Sequence, residues 1–464
     1  MRRPSSLLVL VLLLVGALAL PASAANGPVY FFDPDAPLGP LDAAGQPQPL
    51  SAIEAEEVET VHGDIAGAVY VGQRPVDWNG ELVVWAHGYR GEGELLYVDP
   101  PPLREWLLDE GYAWIASSYR RNSYDAGIGV LDTKNATQRA AQLWGHPDRT
   151  YLAGVSMGGH VTARAIEQFP NLYDGALPAC GAMGDVALFD YLLDYNLVAA
   201  AFAGLDAAEL TYPDDVWVDD EVVDIKQALS NSPGSEWAFS GSALVEGDSF
   251  LNETGQAFKG FMEVRSGGER GPIYDVAWDY WHVAGSGNFF FDFAEGDGTI
   301  ANRSGVVSQN TDSDYASYGD EYAFLNDEVL RVEAANRVRR SRGLQPAPQI
   351  QGAPPVPVLS IHTIGDLFVP IEMQQIYAER VAANDRSDLL VQRAIRDVGH
   401  CTFSDTEWET TFTDLFGWVE TGVAPAGEDL IHGISSPTLG CEWTDSSDGT
   451  ATARGGIRLF DCRT

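Results

Sequence analysis

The chain carries two kinds of apolar patterning. Short continuous apolar runs, the mark of strands buried on both faces, fall at residues 81–86, 112–118, 151–155, 174–180, 355–362 and 388–396. Between them, apolar positions at helical spacing predict helices at 103–110, 135–145, 161–168, 371–382 and 405–420. A looser alternation near 65–71 predicts a first strand. Strand and helix in alternation predict an α/β fold: a mostly parallel central sheet flanked by helices on both faces.

The rhythm breaks at about Gly181 and resumes at about Pro355. The long, aromatic, Gly- and Asn-rich segment 183–351 is therefore expected to be a lid or cap inserted between two halves of the core, 25–182 and 352–422. An insertion there sits on the edge where open α/β sheets bind ligands. Its rings, Phe258, Phe261, Trp278, Tyr280, Trp281, Phe289, Phe290, Phe291 and Phe293, either line an apolar pocket or form the segment's own core. The second is the expectation for any single ring. Residues 423–464 open with a Pro/Gly linker and are expected to end in a small disulfide-closed hairpin with Asp-Gly and Gly-Gly turns.

Met1-Arg2-Arg3, an apolar run from Leu7 to Leu20 and Ala22-Ser23-Ala24 predict a signal peptide over 1–24, cut after Ala24. The alternative, a membrane anchor, requires a longer run and a basic far flank. The reading is a secreted, extracellular protein without stable membrane insertion after cleavage. Residues 25–60, rich in Pro, Ala and acids, read as an extended arm.

The formal charge is −39, and lysine occurs only at 134, 226 and 259. Such a field repels phosphate backbones and argues against a nucleic-acid partner. The acidity fits a salt-rich habitat or an Arg- and Asp-favouring, GC-rich codon usage; unfolding against salt separates the two.

Candidate chemistry centres on Gly154-Val155-Ser156-Met157-Gly158, which joins an apolar run to a helix pattern. A serine on such a strand-turn-helix junction is lifted clear of the sheet, with the Met157 amide facing a developing oxyanion. The hydroxyl needs a base, and His400 lies between a predicted strand and helix. The base needs an acid, and Asp366 follows the strand ending at 362. His87 in its His-Gly turn, His160 and the buried strand end His362 are read as structural. Asp397 lies too early in its loop to reach across the His400 ring.

Asp312-Ser313-Asp314 and Asp297-Gly298 lack full calcium-loop spacing. No zinc-type cluster or dinucleotide glycine pattern occurs, so no metal or cofactor is expected. Cys441 and Cys462 are expected to pair. Cys180 and Cys401, each at a core strand end, are expected to pair and brace the histidine loop; the alternative is two buried thiols.

His87-Gly88-Tyr89, the Gly154–Gly158 elbow, Gly365-Asp366 with Val369-Pro370, and Gly399-His400 together resemble the α/β-hydrolase superfamily, serine esterase- and lipase-like. The resemblance covers about 65–420 apart from the insertion. It implies Ser156, Asp366 and His400 as a catalytic triad and the Tyr89 and Met157 amides as the oxyanion hole. The Tyr and Met pair also resembles cutinase-type, polyester-cleaving esterases. The expected activity is hydrolysis of a small-molecule or polymeric carboxylic ester through an acyl-enzyme. The alternatives are an aminopeptidase-like peptidase or amidase of the same fold, and a non-catalytic binding protein on that scaffold.

Overall fold

The computed structural model describes residues 58–231, 250–284, 290–294, 305–335, 338–339, 343–445 and 462. The expected signal peptide, most of the arm before residue 60, Phe289, Asp297-Gly298 and the interior of the C-terminal hairpin lie outside these residues.

Eight strands form one sheet: β1 Val58–Ile65, β2 Ala68–Pro75, β3 Glu81–Ala86, β4 Ala113–Ser117, β5 Arg149–Val155, β6 Gly175–Ala179, β7 Val358–Thr363 and β8 Leu390–Ile395. Their order is β1-β2-β4-β3-β5-β6-β7-β8. β2 runs antiparallel to β1 and β4, and all other neighbours are parallel. The ten α-helices among the described residues are α1 Arg104–Asp109, α2 Ala126–Trp144, α3 Met157–Gln168, α4 Val186–Phe202, α5 Glu221–Ala228, α6 Glu253–Arg265, α7 Pro272–Asp279, α8 Leu325–Glu328, α9 Glu372–Ala383 and α10 Asp405–Thr421.

Successive residues of the strands face opposite layers, which is why the buried strands are apolar throughout. Leu82, Val84, Ile115 and Leu152 pack with Val130 of α2 and Val161 of α3. Val83, Trp85, Trp114 and Tyr151 pack with Leu107 of α1 and Phe412 and Phe416 of α10. Parallel strands covered in this way bring their C-terminal ends to one edge, where the loops after β3, β5, β6, β7 and β8 meet.

Two elements differ from their expected form. The alternation near 65–71 is a hairpin, because Ala66 and Gly67 both take positive φ (55° and 87°) and reverse the chain. Alanine gives no turn signal, so the pattern ran through the reversal. Helix α2 starts nine residues before the expected 135, capped by Asp125 Oδ1, which accepts from Ile128 N at 3.0 Å. Gly127 lowers helix propensity there, yet a Cβ at 127 would sit 2.3 Å from Gln345 O. Close backbone approach, not flexibility, explains that glycine.

Between the neighbouring strands β6 and β7 the chain runs through α4 to α8. Phe258, Phe261, Trp278, Phe290 and Phe291 are all buried there, clustered around Tyr195 and Tyr315. They fill this segment's interior. Arg265 of α6 bonds Asp194 of α4 (2.7 Å) and Glu372 of α9 (2.6 Å), tying the segment to the sheet's flanking layer.

The buried imidazoles make stability pH-dependent. His362 in β7 donates from Nε2 to Val369 O (2.8 Å), and burial pulls its pKa down to about 4. The unfolded chain holds a histidine near 6.5, so between those values it binds the proton that the folded state refuses. This contribution is complete above about pH 6.5 and is lost as pH falls toward about 4. The unfolding midpoint should drop over that window, and His362→Gln should flatten the slope; equal slopes in urea titrations of both proteins would exclude a neutral buried His362.

Candidate active site

Ser156 stands between β5 and α3 with φ 57° and ψ −121°, a conformation that a non-glycine residue holds only under constraint. The constraint is packing against the loop after β3. A Cβ at Gly158 would lie 2.0 Å from Ala86 O, and one at Gly154 would lie 2.5 Å from Gly158 O. The elbow closes only with glycine at both places. The Ser156 amide donates to Ala179 O (3.1 Å) at the end of β6. The Met157 amide opens α3, and the Gly88 backbone passes close by: a Cβ there would be 3.2 Å from the Ser156 Cβ and 3.7 Å from its Oγ. The amides of Met157 and Tyr89 donate to no partner among the described residues.

Asp366 lies in the turn after β7 and is fully buried. Its Oδ1 accepts from the amides of Phe368 (2.9 Å) and Val369 (3.0 Å), which fixes the carboxylate plane. Its Oδ2 accepts from His400 Nδ1 at 2.5 Å. Two bonds lock the acid and histidine turns to each other: Gly365 N donates to Asp397 O (2.9 Å), and Thr363 Oγ1 donates to Gly399 O (2.7 Å). Trp281 Nε1, from the β6–β7 segment, donates to Val398 O (2.9 Å) and Gly365 O (3.2 Å). Sequence reasoning placed Trp281 only among lid aromatics, because nothing local marks a donor aimed at carbonyls so far along the chain.

Cys180 and Cys401 are joined (S–S 2.02 Å), as are Cys441 and Cys462. The first bridge spans from the end of β6, beside the Ser156 amide, to the residue after His400. Cys401 Sγ lies 3.4 Å from His400 Nε2. Cys180, His400 and Cys401 cluster closely enough to hold a metal, but sulfurs in a disulfide supply no thiolate. The structure thus bonds Asp366 to His400 and brings the Ser156 elbow to the same sheet edge. The Ser156 hydroxyl itself makes no hydrogen bond among the described residues.

His87 and His160, two of the other histidines weighed as candidates, are engaged elsewhere. Both ring nitrogens of His87 face carbonyls, Gly88 O at 2.6 Å and Ser118 O at 3.1 Å, and burial holds its pKa well below the usual value. His160 accepts from the Tyr124 hydroxyl (2.9 Å) and donates to Pro348 O (2.6 Å). Asp397 Oδ1 accepts from the amides of Val398 (2.6 Å) and Gly399 (3.2 Å). Asp314 caps a short 3-10 turn through Ala316 N, and Asp312 accepts from Gln309 Nε2.

The strand order, the β5–elbow–α3 junction and loops carrying an acid after β7 and a histidine after β8 decide the architecture. The chain has the α/β-hydrolase fold. No family model matches it. It is 22% identical over 426 residues to the o-phthalyl amidase of Xanthobacter agilis, covering 80% of this chain and 90% of the amidase. Solved α/β-hydrolase structures similar to it include feruloyl esterase B from Aspergillus oryzae, with TM-score 0.43, 13% identity, and coverage of 79% of this chain and 82% of that one. An acylaminoacyl peptidase from Pyrococcus horikoshii gives TM-score 0.32 and 11% identity over 74% of this chain and 36% of that one. Among the described residues no helix is long and apolar enough to cross a membrane.

In this hydrolase fold the Cys180–Cys401 bridge closes a very long loop, so its removal acts chiefly on the unfolded chain. The double variant Cys180→Ser, Cys401→Ser should lose about 2–5 kcal/mol of stability. Chemical denaturation of the two proteins checks this, and coincident curves would show that the bridge constrains nothing.

Proposed function

We propose that the chain is a serine hydrolase of carboxylic esters. The observation that carries the reading is the buried Asp366 carboxylate bonded to His400 Nδ1 at the sheet edge that also presents the strained Ser156. A carboxylate on Nδ1 sets the tautomer that leaves Nε2 as the base. Bonds between nucleophile and base are often long or poorly aligned before substrate binds and tighten in the complex. Ser156 Oγ attacks the ester carbonyl while His400 Nε2 takes its proton. The Met157 and Tyr89 amides receive the oxyanion, each worth about 3 kcal/mol in comparable sites. His400 then protonates the leaving alcohol, and water activated by His400 releases the acyl group.

The β6–β7 segment acts as the lid that shapes the acyl pocket. Two disulfides and the apolar leader support export, and the acidic surface argues against nucleic acid as a partner. A second reading, amide hydrolysis, is favoured by the similarity to an o-phthalyl amidase. The same residues would serve, with His400 protonating an amine.

Ser156→Ala should abolish hydrolysis of a p-nitrophenyl ester and labelling by a fluorophosphonate while leaving the melting curve unchanged. Asp366→Asn should lower kcat by about 10⁴-fold, since the base then holds the wrong tautomer. Undiminished turnover by the Ser156 variant would overturn the assignment. An aryl ester and the anilide of the same acyl group, compared by kcat/KM, decide between the two readings.

A further inference from the structure

The β6–β7 segment does more than stand beside the site. Trp281 sends its indole N–H between two carbonyls, Val398 O (2.9 Å) and Gly365 O (3.2 Å). Gly365 immediately precedes Asp366, and Val398 lies two residues before His400. One donor therefore spans the acid turn and the histidine turn, which belong to different loops. The same side chain reaches the pair by a second route. The Trp281 ring packs on Phe368 (centroids 6.2 Å apart), and Phe368 stands edge-on to the His400 ring at 5.3 Å. The Phe368 amide is also one of the two donors to Asp366 Oδ1.

Trp281 is held as a rigid element would be. It sits in a single π-helical turn, Tyr280–Ala284, that continues α7. Such a turn shifts the register of the residues after it relative to an α-helix, and these turns concentrate at functional sites. The next residue, His282, anchors it. His282 stacks on Trp278 (3.8 Å) and donates from Nδ1 to Trp278 O (2.7 Å). Its Nε2 then accepts from the Tyr195 hydroxyl of α4 at 2.5 Å. Burial lowers the His282 pKa to about 3, so the ring stays neutral and this pattern of one donor and one acceptor persists. At one of its contacts with the core the β6–β7 segment thus presents a braced indole aimed at the backbone of the two turns that carry the acid–base pair.

Resting on the serine-hydrolase reading, we propose that Trp281 is a positioning residue: its N–H clamps the acid turn to the histidine turn and sets the Asp366–His400 contact, so the inserted segment is part of the catalytic apparatus and not a removable cover. A clamp of this kind acts on the reacting geometry and not on substrate affinity. A small displacement of a catalytic group, on the order of 1 Å, can cost about 100-fold in rate.

The test uses two variants of the full chain. Trp281→Phe removes the N–H and part of the ring. Replacement of Trp281 by 3-benzothienylalanine keeps the bicyclic shape and removes only the donor. Both should lower kcat on an activated aryl ester by about 10- to 100-fold with KM within about twofold, and slow fluorophosphonate labelling of Ser156 in parallel. Both should also move the far-downfield proton resonance of the His400–Asp366 bond upfield, a signature that a purely structural role leaves in place. Unchanged kcat and resonance in the benzothienyl protein would overturn the clamp, whatever Trp281→Phe does, because ring packing alone would then suffice. A raised KM with unchanged kcat would overturn it in favour of a pocket wall. If the wild-type protein neither turns over the ester nor labels at Ser156, the hydrolase reading fails. The resonance still reports on the clamp in that case, so the two failures are distinguishable.

Discussion

A carboxylate without solvent contact, facing an imidazole across 2.5 Å, sets the demands that the rest of the molecule meets. A lone charge there would be costly to bury. It is tolerable because both Asp366 oxygens are engaged, one by two backbone amides and the other by His400. Those bonds exist only while the turns after β7 and β8 keep their spacing. Parallel pairing from Val358–Leu390 through Thr363–Ile395 fixes that spacing from below. The Thr363 and Gly365 bonds fix it at the edge, and Trp281 fixes it from above.

Ser156 is held by a different means. Its conformation is imposed by exclusion: glycines at 154 and 158 let three backbone segments approach to distances that a Cβ would forbid. The strain at Ser156 is sustained by that packing and by its amide bond to Ala179. One residue beyond Ala179, Cys180 crosses to Cys401 and so links the elbow to the histidine loop covalently. Ser156 and His400 are therefore coupled through the scaffold even though their side chains are not bonded to each other.

Electrostatics inside and outside the molecule follow opposite rules. The chain as a whole is strongly acidic, yet its interior seams are closed by arginines. Arg265 joins α6 to α4 and α9, Arg380 joins α9 to Asp185 before α4, and Arg393 of β8 joins Asp414 of α10. Guanidinium serves here because its planar fork can bond two partners at once, as Arg265 does. Losing Asp194, the buried partner of Arg265, would leave an uncompensated charge, which typically costs about 3–5 kcal/mol. The β6–β7 segment is thus joined to the core by charge as well as by apolar packing.

The sequence by itself determined the parts whose physics is local. Apolar runs placed the buried parallel strands, Gly154 and Gly158 marked a turn that only glycine permits, and an acid and a histidine following two of the strands were legible from position alone. Where residues between turns were silent, local reading failed: Ala66 hid the β1–β2 reversal, and Gly127 and Gly129 hid the first turns of α2 behind poor helix propensity. Tertiary structure alone decided the rest, because the deciding contacts join segments far apart in the chain. The 2.5 Å Asp366–His400 contact and the reach of Trp281 to Gly365 and Val398 depend on sheet register and on how the β6–β7 segment folds back, whereas the pairing of Cys180 with Cys401 was already legible from their two strand-end positions. No local pattern encodes those distances, since they are set by close packing of the whole interior.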